Sequence, residues 1–299
     1  MNAIRTDTTR QYLEEQRVHV DAELERLLPP AGQYPTSIHQ AMRYSVFAGG
    51  KRLRPILCLE TGRLFGGDEK SLLEVGCVLE LIHTYSLVHD DLPALDNDDV
   101  RRGKPTLHRK FGEATAILAG DALLTLAFEV LSTPGLVADR QLRVIYELAH
   151  AIGTRAGMVA GQVVDLETTS FEADAATLEY IHSAKTGAFI RAAVRSGALC
   201  TQAGKADLAR VTGYGEKVGL AFQIADDLLD VLGSEEALGK AVRKDGRQRK
   251  ATYPALYGVE TSQRIAAELI VEACAALAPF GDGARRLQEV AHYLVARTS

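Results

Sequence analysis

Hydrophobic residues recur along this chain at helical rather than alternating spacing. Between residues 8 and 28, Leu13, Val18, Val20, Leu24, Leu27 and Leu28 are set among acids and arginines, and Pro29 and Pro30 end the pattern. Ser37 is placed to cap a second helix that carries Ile38, Met42 and Val46 and stops at Gly49 and Gly50. Pro55 then opens the apolar helix ILCLETGRLFG. From Phe111 to Leu131 nearly every position is apolar, which predicts a central helix; Asp121 interrupts it and, buried there, needs a partner. Residues 137 to 168 read as one long helix with Gly153, Gly157 and Gly161 on a single face, a spacing that permits close helix approach, followed by Gln162 and Asp165 on a polar face. Further helices fall at 174 to 200, from Gly204 through Val211, Val218 and Phe222, and at about 260 to 278 and 283 to 297. No strand alternation, short repeat or Pro/Gly/Ser linker appears, so the expectation is an all-α fold, a large helical bundle of ten or more helices forming one domain over residues 1–299.

Two groups of aspartates interrupt the apolar segments. Asp90, Asp91, Asp96, Asp98 and Asp99 fall within ten residues after the apolar Tyr85 to Val88 stretch, and Arg101 and Arg102 follow at once. Asp226, Asp227 and Asp230 sit in FQIADDLLDVLG. At about 100° per residue, Asp226 and Asp230 lie within about 40° of each other on a helix, with Asp227 on the adjacent flank and Gln223 one turn earlier. Asp90 and Asp96 are about 240° apart on an unbroken helix, so they can share an ion only if the helix breaks between them. Pro93 supplies that break, which predicts a helix end near Asp91 or Leu92 with Asp96 folded back towards Asp90.

Carboxylates without cysteine or a histidine pair favour a hard cation, and Mg²⁺ with diphosphate fits best, because substrate phosphates fill its remaining positions. Arg101 and Arg102 then hold phosphate oxygens rather than forming ordinary ion pairs. A calcium loop is excluded: counted from Asp96, its fifth and sixth positions are Val100 and Arg101. In GGKRLRP, Lys51, Arg52 and Arg54 precede a helix start, either as a solvated basic turn or as an anion site. His83, two turns before Asp90, is either part of that site or a hydrogen-bonded core histidine. Lys185, Thr186 and Gly187 interrupt an apolar helix; an interior Gly costs about 1 kcal/mol, so a kink presenting the ammonium to an anion is one reading and a snorkelling surface lysine the other. Residues 233 to 253, with Lys240, Arg243, Lys244, Arg247, Arg249 and Lys250, form either a solvated loop or a cationic lid.

Composition narrows the class. The length and hydrophobic content are ample for a large soluble core, and a net charge of -5 with no compensating basic face argues against nucleic acid as the main partner. Cys58, Cys77, Cys200 and Cys274 lie apart in apolar patterns and read as buried reduced thiols. With no apolar signal core at residues 1–20 and no uncharged run near the roughly 18 residues of a membrane span, a cytoplasmic location is expected.

GGKRLRP, HDDLPALDNDDVRRGKPT, AKTG, FQIADDLLD and the Lys244-Asp245 loop together resemble the trans-isoprenyl diphosphate synthase family, with HTYSLVHDDLPA most similar to its bacterial farnesyl diphosphate synthases. The resemblance spans nearly the whole chain. It implies an all-α bundle around a deep cavity (the isoprenoid synthase fold), a homodimer, and condensation of isopentenyl diphosphate with an allylic diphosphate using about three Mg²⁺ ions, for which Mn²⁺ substitutes. By the same resemblance Asp90, Asp96 and Asp226 bind metal, with Asp91, Asp227 and Asp230 supporting them. Arg101, Lys185, Thr186, Gln223 and Lys240 hold the allylic diphosphate, and Lys51, Arg54, His83 and Arg102 the isopentenyl diphosphate, with Lys250 a substrate-binding member of the lid. Two positions depart from the family pattern: Arg243 stands where relatives carry Gly, and Asn97 where many carry Asp.

The implied chemistry is ionisation of the allylic C–O bond, attack by the isopentenyl double bond and proton loss to the departing diphosphate, so no protein nucleophile is required. Tyr85 and Ser86, five and four residues before Asp90, are placed to set product length at C15, or Tyr85 merely packs between helices. The alternatives are a C20 (geranylgeranyl) synthase and a non-catalytic synthase subunit. A terpene cyclase fits less well, since Asp230 and Ser234 stand where its second metal motif needs Ser or Thr and then Glu.

Overall fold

The computed structural model describes residues 2–133, 135–168, 174–238 and 252–296, without the side chains of residues 2–6 and 233–238. Lys240, Arg243 and Lys250, and with them most of the basic segment read as loop or lid, lie outside the described residues.

α1 (Asn2–Leu27) stops before the two prolines, as the sequence requires. α2 (Thr36–Val46) starts two residues earlier than expected: Pro35 is its cap and Ser37 lies inside the first turn with no capping bond. α3 (Leu53–Leu64) also starts early, because Arg52 adopts a left-handed conformation (φ 52°) that turns the chain into the helix; Pro55 falls in the first turn, where a missing N–H is not needed. α4 (Glu69–Asp90) is capped by Asp68, whose carboxylate accepts the Ser71 N–H at 2.9 Å.

A two-residue hairpin follows, β1 (Val100–Arg101) paired with β2 (Lys104–Pro105), which the helical periodicity gave no sign of. Arg102 (φ 53°) and Gly103 (φ 74°) form its turn, both left-handed as a tight hairpin demands. Next come α5 (Leu107–Phe111), α6 (Glu113–Ser132), α7 (Ala138–Ile152), α8 (Met158–Glu167), α9 (Ala175–Ile181), a π-helical turn (His182–Gly187) and α10 (Ala188–Leu199). α11 (Lys205–Leu238), α12 (Tyr253–Tyr257), α13 (Val259–Ala276), a 3₁₀ segment (Ala278–Ala284) and α14 (Arg285–Val295) complete the described chain. The fold is all-α.

The span 137–168 is two helices rather than one. α7 ends at Ile152, and the glycines that were expected to share a helix face instead make the break between α7 and α8, except Gly161.

α4 is the centre of the bundle. Leu72, Val78, Leu79, Leu81 and Ile82 on one half of its circumference and Cys77, Glu80 and Thr84 on the other are all buried, by α1, α3, α6 and α10 among others. α6 is at the edge, contrary to the expectation of a central helix: Ala116, Ala119, Leu123 and Ala127 pack inward, while Ile117 and Leu118 are 46% and 59% exposed. Asp121 is exposed on that outer face, 3.9 Å from His89 Nε2. By length and composition α4 and α6 are apolar enough to cross a membrane; α4's apolar surface is taken up by the bundle. Cys58, Cys77 and Cys200 are buried and Cys274 half-buried, all without disulfides.

Candidate active site

α4 ends at Asp90, and the chain reverses over Pro93: the Asp96 N–H donates to the Asp90 carbonyl at 2.8 Å, and the Leu95 and Asn97 N–H groups both donate to the Leu92 carbonyl. The break places Asp90 and Asp96 at the same helix end. The hairpin then splits the two adjacent arginines. Arg101 turns back to the α4 terminus, its Nε donating to buried Asp91 at 2.6 Å with Asp98 at 3.7 Å, while Arg102 reaches the Gly49 carbonyl ahead of α3. Burial raises the Asp91 carboxyl above the ordinary range, and Arg101 works against that rise.

The α2–α3 connection supplies the second set of cations. Arg52 is buried and structural: it donates to Glu80 and to Asp21, each at 2.7 Å, and to the Val46 carbonyl at 2.6 Å. These ion pairs hold its left-handed backbone, a conformation costing roughly 1–2 kcal/mol for a residue with a Cβ. With Arg52 fixed, Lys51 and Arg54 both line a cavity of about 510 Å³, together with Glu80, His83, Arg102 and Asp226. Arg54 stacks on Phe189 at 5.2 Å, and its Nε is buried with no hydrogen-bond partner. Burial brings its guanidinium down to about 10, with Glu80 and Asp226 opposing. Burial, and then the neighbouring Arg54 and Arg102, push the His83 imidazole well below its ordinary value, so it is neutral at pH 7. A cavity with a desolvated guanidinium and a neutral imidazole is built to receive an anion. Glu80 was not anticipated; its signal is an acid one helical turn before His83 inside an otherwise apolar run.

The third element is the π-helical turn. α8 and α11 approach it from two sides through glycines: a Cβ on Gly161 would lie 2.4 Å from the Lys185 nitrogen, and one on Gly219 2.8 Å from the Gly187 Cα. The bulge carries the AKTG residues. Lys185 Nζ bonds Asp165 at 2.8 Å, and Thr186 Oγ1 donates to Gln223 at 2.8 Å. Gln223 Nε2 donates in turn to Asp227 at 3.2 Å, and Asp227 accepts the Tyr253 N–H at 3.0 Å. Burial raises Asp227 to about 6 against these bonds. His182, absent from the expected set, lies 3.5 Å from Asp227 and stacks on Tyr253 at 5.3 Å. Asp227 thus ties α11 to α12, whereas Asp226, one residue earlier, faces the basic cavity.

A second cavity, of about 340 Å³, is lined by Tyr85, Ser86, Asp90, Lys185 and Thr186 and by apolar residues of α8. Arg54 and His83 line both cavities, Asp226 lines the first and Asp90 the second. Basic residues, aspartates from two helices and an apolar depth therefore meet at one place. Asp90, Asp96 and Asp226 offer carboxylate oxygens alone, the donors a hard cation prefers. Among the described residues no three His, Cys, Asp or Glu side chains gather closely enough to hold a metal unaided, so an ion here needs further oxygens from a bound molecule.

Residues 35–277 match the model of the polyprenyl synthetase family. A dimethylallyltranstransferase of Fischerella ambigua is 52% identical over 96% of this chain and 83% of its own length. A geranylgeranyl diphosphate synthase of Cyanophora paradoxa is 46% identical over 96% of both chains. Among solved structures, an FPP/GFPP synthase from Zymomonas mobilis superposes with a TM-score of 0.86 and 39% identity, covering 97% of this chain and 99% of its own. Matching over most of its length in sequence and in fold, this chain belongs to the polyprenyl synthetase family of prenyltransferases.

Proposed function

We propose that the protein condenses isopentenyl diphosphate head-to-tail with dimethylallyl or geranyl diphosphate and releases farnesyl diphosphate and diphosphate. One observation carries this reading: a cation-lined cavity and an apolar cavity share Arg54 and His83 as a common wall, with an aspartate from each acidic group beside it. Two diphosphates and one growing hydrocarbon need that combination. Lys51, Arg54, His83 and Arg102 hold isopentenyl diphosphate in the first cavity; Arg101, Lys185, Thr186 and Gln223 hold the allylic diphosphate at the mouth of the second. Lys240 is assigned to the allylic diphosphate and Lys250 to the lid from sequence alone. Asp90, Asp96 and Asp226 hold Mg²⁺ together with substrate oxygens, and the metal supplies neutralisation of the leaving diphosphate's charge.

The allylic C–O bond breaks with its electron pair leaving on the diphosphate, the isopentenyl double bond attacks the resulting cation, and a proton passes to the diphosphate. Lys185 and Arg101 balance charge on the leaving group; the apolar wall keeps water from the cation. C15 is favoured over C20 because Tyr85 lines the apolar cavity as its largest side chain and is buried. The relatives' names divide between shorter and longer products, so chain length is the part most open to test. A non-catalytic subunit is disfavoured by the retention of both acidic groups and of the anion cavity. Two further assignments belong to the same reading: a homodimer, for which exposed Ile117 and Leu118 on α6 supply an apolar face, and a reducing cytoplasmic setting, in keeping with four unbridged cysteines. Incubation with dimethylallyl and isopentenyl diphosphates, Mg²⁺ and chromatographic separation by chain length tests the activity; absence of diphosphate release would refute it.

A further inference from the structure

Gln162 is the feature of the second cavity that the reading above leaves unused. It follows Gly161 on α8, whose missing Cβ lets the helix backbone press against Lys185, so the Gln162 side chain enters the cavity wall beside Lys185 and Thr186. Both its Oε1 and its Nε2 are buried, and neither has a hydrogen-bond partner. An amide carries two donors and an oxygen with two lone pairs, and groups of this kind are almost always satisfied in a folded interior. Its neighbours on the same helix that line this cavity are Met158, Val159, Val163 and Leu166, so the amide is the lone polar group α8 contributes there. A methionine or leucine would fill the space without the desolvation penalty. A polar group kept unsatisfied among apolar neighbours is a dipole whose partner is whatever occupies the cavity.

We infer that Gln162 is a catalytic residue that stabilises the allylic cation through its carbonyl oxygen. The inference rests on the proposed condensation, in which the C–O bond breaks with its electron pair on the diphosphate and positive charge is left on the hydrocarbon in this cavity. Gln162 forms no bond and exchanges no proton. Its oxygen carries partial negative charge in the wall of the cavity where charge develops, it is already desolvated, and it has no ground-state hydrogen bond to give up. Such a group acts on the transition state more than on the neutral hydrocarbon of the substrate, so its removal lowers kcat and leaves KM nearly unchanged.

The test compares Gln162→Met and Gln162→Glu with the unmodified protein, using geranyl and isopentenyl diphosphates and measuring kcat, KM and Tm. For Gln162→Met, kcat falls by roughly 10- to 100-fold, KM for geranyl diphosphate stays within about twofold, and Tm is unchanged or higher, because the methionine removes an unsatisfied buried amide. Gln162→Glu, which keeps a side-chain oxygen at the same position, retains more kcat than the methionine variant. Overturning results are a methionine variant with normal kcat and lowered Tm, which makes the amide structural, or one whose KM rises at constant kcat, which makes it a diphosphate ligand. Asp90→Ala and Asp226→Ala are run alongside. If they retain activity, the proposed condensation site is wrong; if they are inactive while Gln162→Met matches the unmodified protein, only the role of Gln162 is.

Discussion

The backbone N–H of Asp96 donates to the carbonyl oxygen of Asp90 at 2.8 Å, so two carboxylates six residues apart sit at one end of α4. Neither acid gains from this geometry alone, since like charges brought together repel. The arrangement becomes favourable when an ion bridges them, and Asp226 lines the neighbouring cavity in a position to contribute. Mg²⁺ is therefore expected to bind weakly to the free protein and tightly once a diphosphate is present, which calorimetric titration with and without a diphosphate analogue measures. Asp90→Ala or Asp226→Ala is expected to lower kcat/KM by about 10³-fold or more with an unchanged circular dichroism spectrum. Near-normal turnover in either variant at ordinary Mg²⁺ concentration would remove these residues from the site.

Much of this candidate site is legible in the sequence because its residues announce themselves by breaking a pattern. Pro93 after the apolar end of α4, Gly187 at the end of AKTG, and aspartates on an apolar helix each contradict the local periodicity, and each is at or next to residues that line the two cavities. The acid pair folds back as Pro93 requires, and the AKTG interruption is a π-helical turn rather than a simple kink. What the sequence hides is the support. Asp165 opposite Lys185, Glu80 under Arg52, and His182 against Asp227 are long-range pairings set by tertiary packing, and periodicity carries no information about them. The reading of α6 as central failed for a related reason. Uniform apolarity shows that a helix avoids water, but it does not say whether other parts of the same chain cover every face.

Gly161 gives a stability prediction. A Cβ there would lie 2.4 Å from the Lys185 nitrogen and 2.7 Å from its Cα, both backbone atoms that cannot rotate away. Gly161→Ala must push α8 off the π-helical turn, an overpacking cost of about 1–3 kcal/mol. The helix-propensity gain of roughly 1 kcal/mol for Ala over Gly does not offset the upper part of that range. Urea unfolding is expected to show the loss, and activity to fall with it because Lys185 is displaced. A variant more stable than the parent would mean that the two backbones separate freely.

His182 supplies a pH dependence. Burial is the main reason its imidazole is depressed to about 4, with Asp165 opposing and Lys185 assisting; Asp227 and Tyr253 are its other neighbours. The folded state thus binds its proton less readily than the unfolded chain does, whose value is near 6.5. The stability this provides is complete above pH 6.5 and is lost as pH falls from 6.5 to 4, a loss on the order of 3 kcal/mol. Asp227, raised to about 6, works in the opposite direction over the same window, because its folded carboxyl takes up a proton first. Direct pH–stability curves will therefore show a partial cancellation. The difference between His182→Gln and the unmodified protein isolates the histidine: the variant should gain in relative stability as pH is lowered from 7 to 4.5. A pH-independent difference would show that the imidazole is not held neutral by its surroundings.

Tyr85 sets the remaining prediction, the depth of the apolar cavity. Its side chain is 8% exposed and lines that cavity with Ser86, one turn of α4 below Asp90. The ring meets the His89 imidazole edge-on at 5.8 Å, and His89 is itself held by the Ile117 carbonyl of α6 at 3.1 Å. Burial, and then Asp90, raise the phenol to about 12, so it is neutral and presents an uncharged surface to a hydrocarbon. The ring is therefore braced from behind rather than free to swing aside as a chain lengthens. Removing it costs about 3 kcal/mol for a buried aromatic truncated to alanine, so total activity of Tyr85→Ala is a poor measure, whereas the ratio of products from the folded fraction does not depend on how much of it there is. With farnesyl and isopentenyl diphosphates as substrates, Tyr85→Ala is expected to extend to C20 and beyond while the unmodified protein stops at C15. If the unmodified protein already yields C20, Tyr85 is not the barrier and the longer-chain reading is correct. If both proteins stop at C15, another residue sets the floor, and Tyr85 does no more than brace α4 against His89.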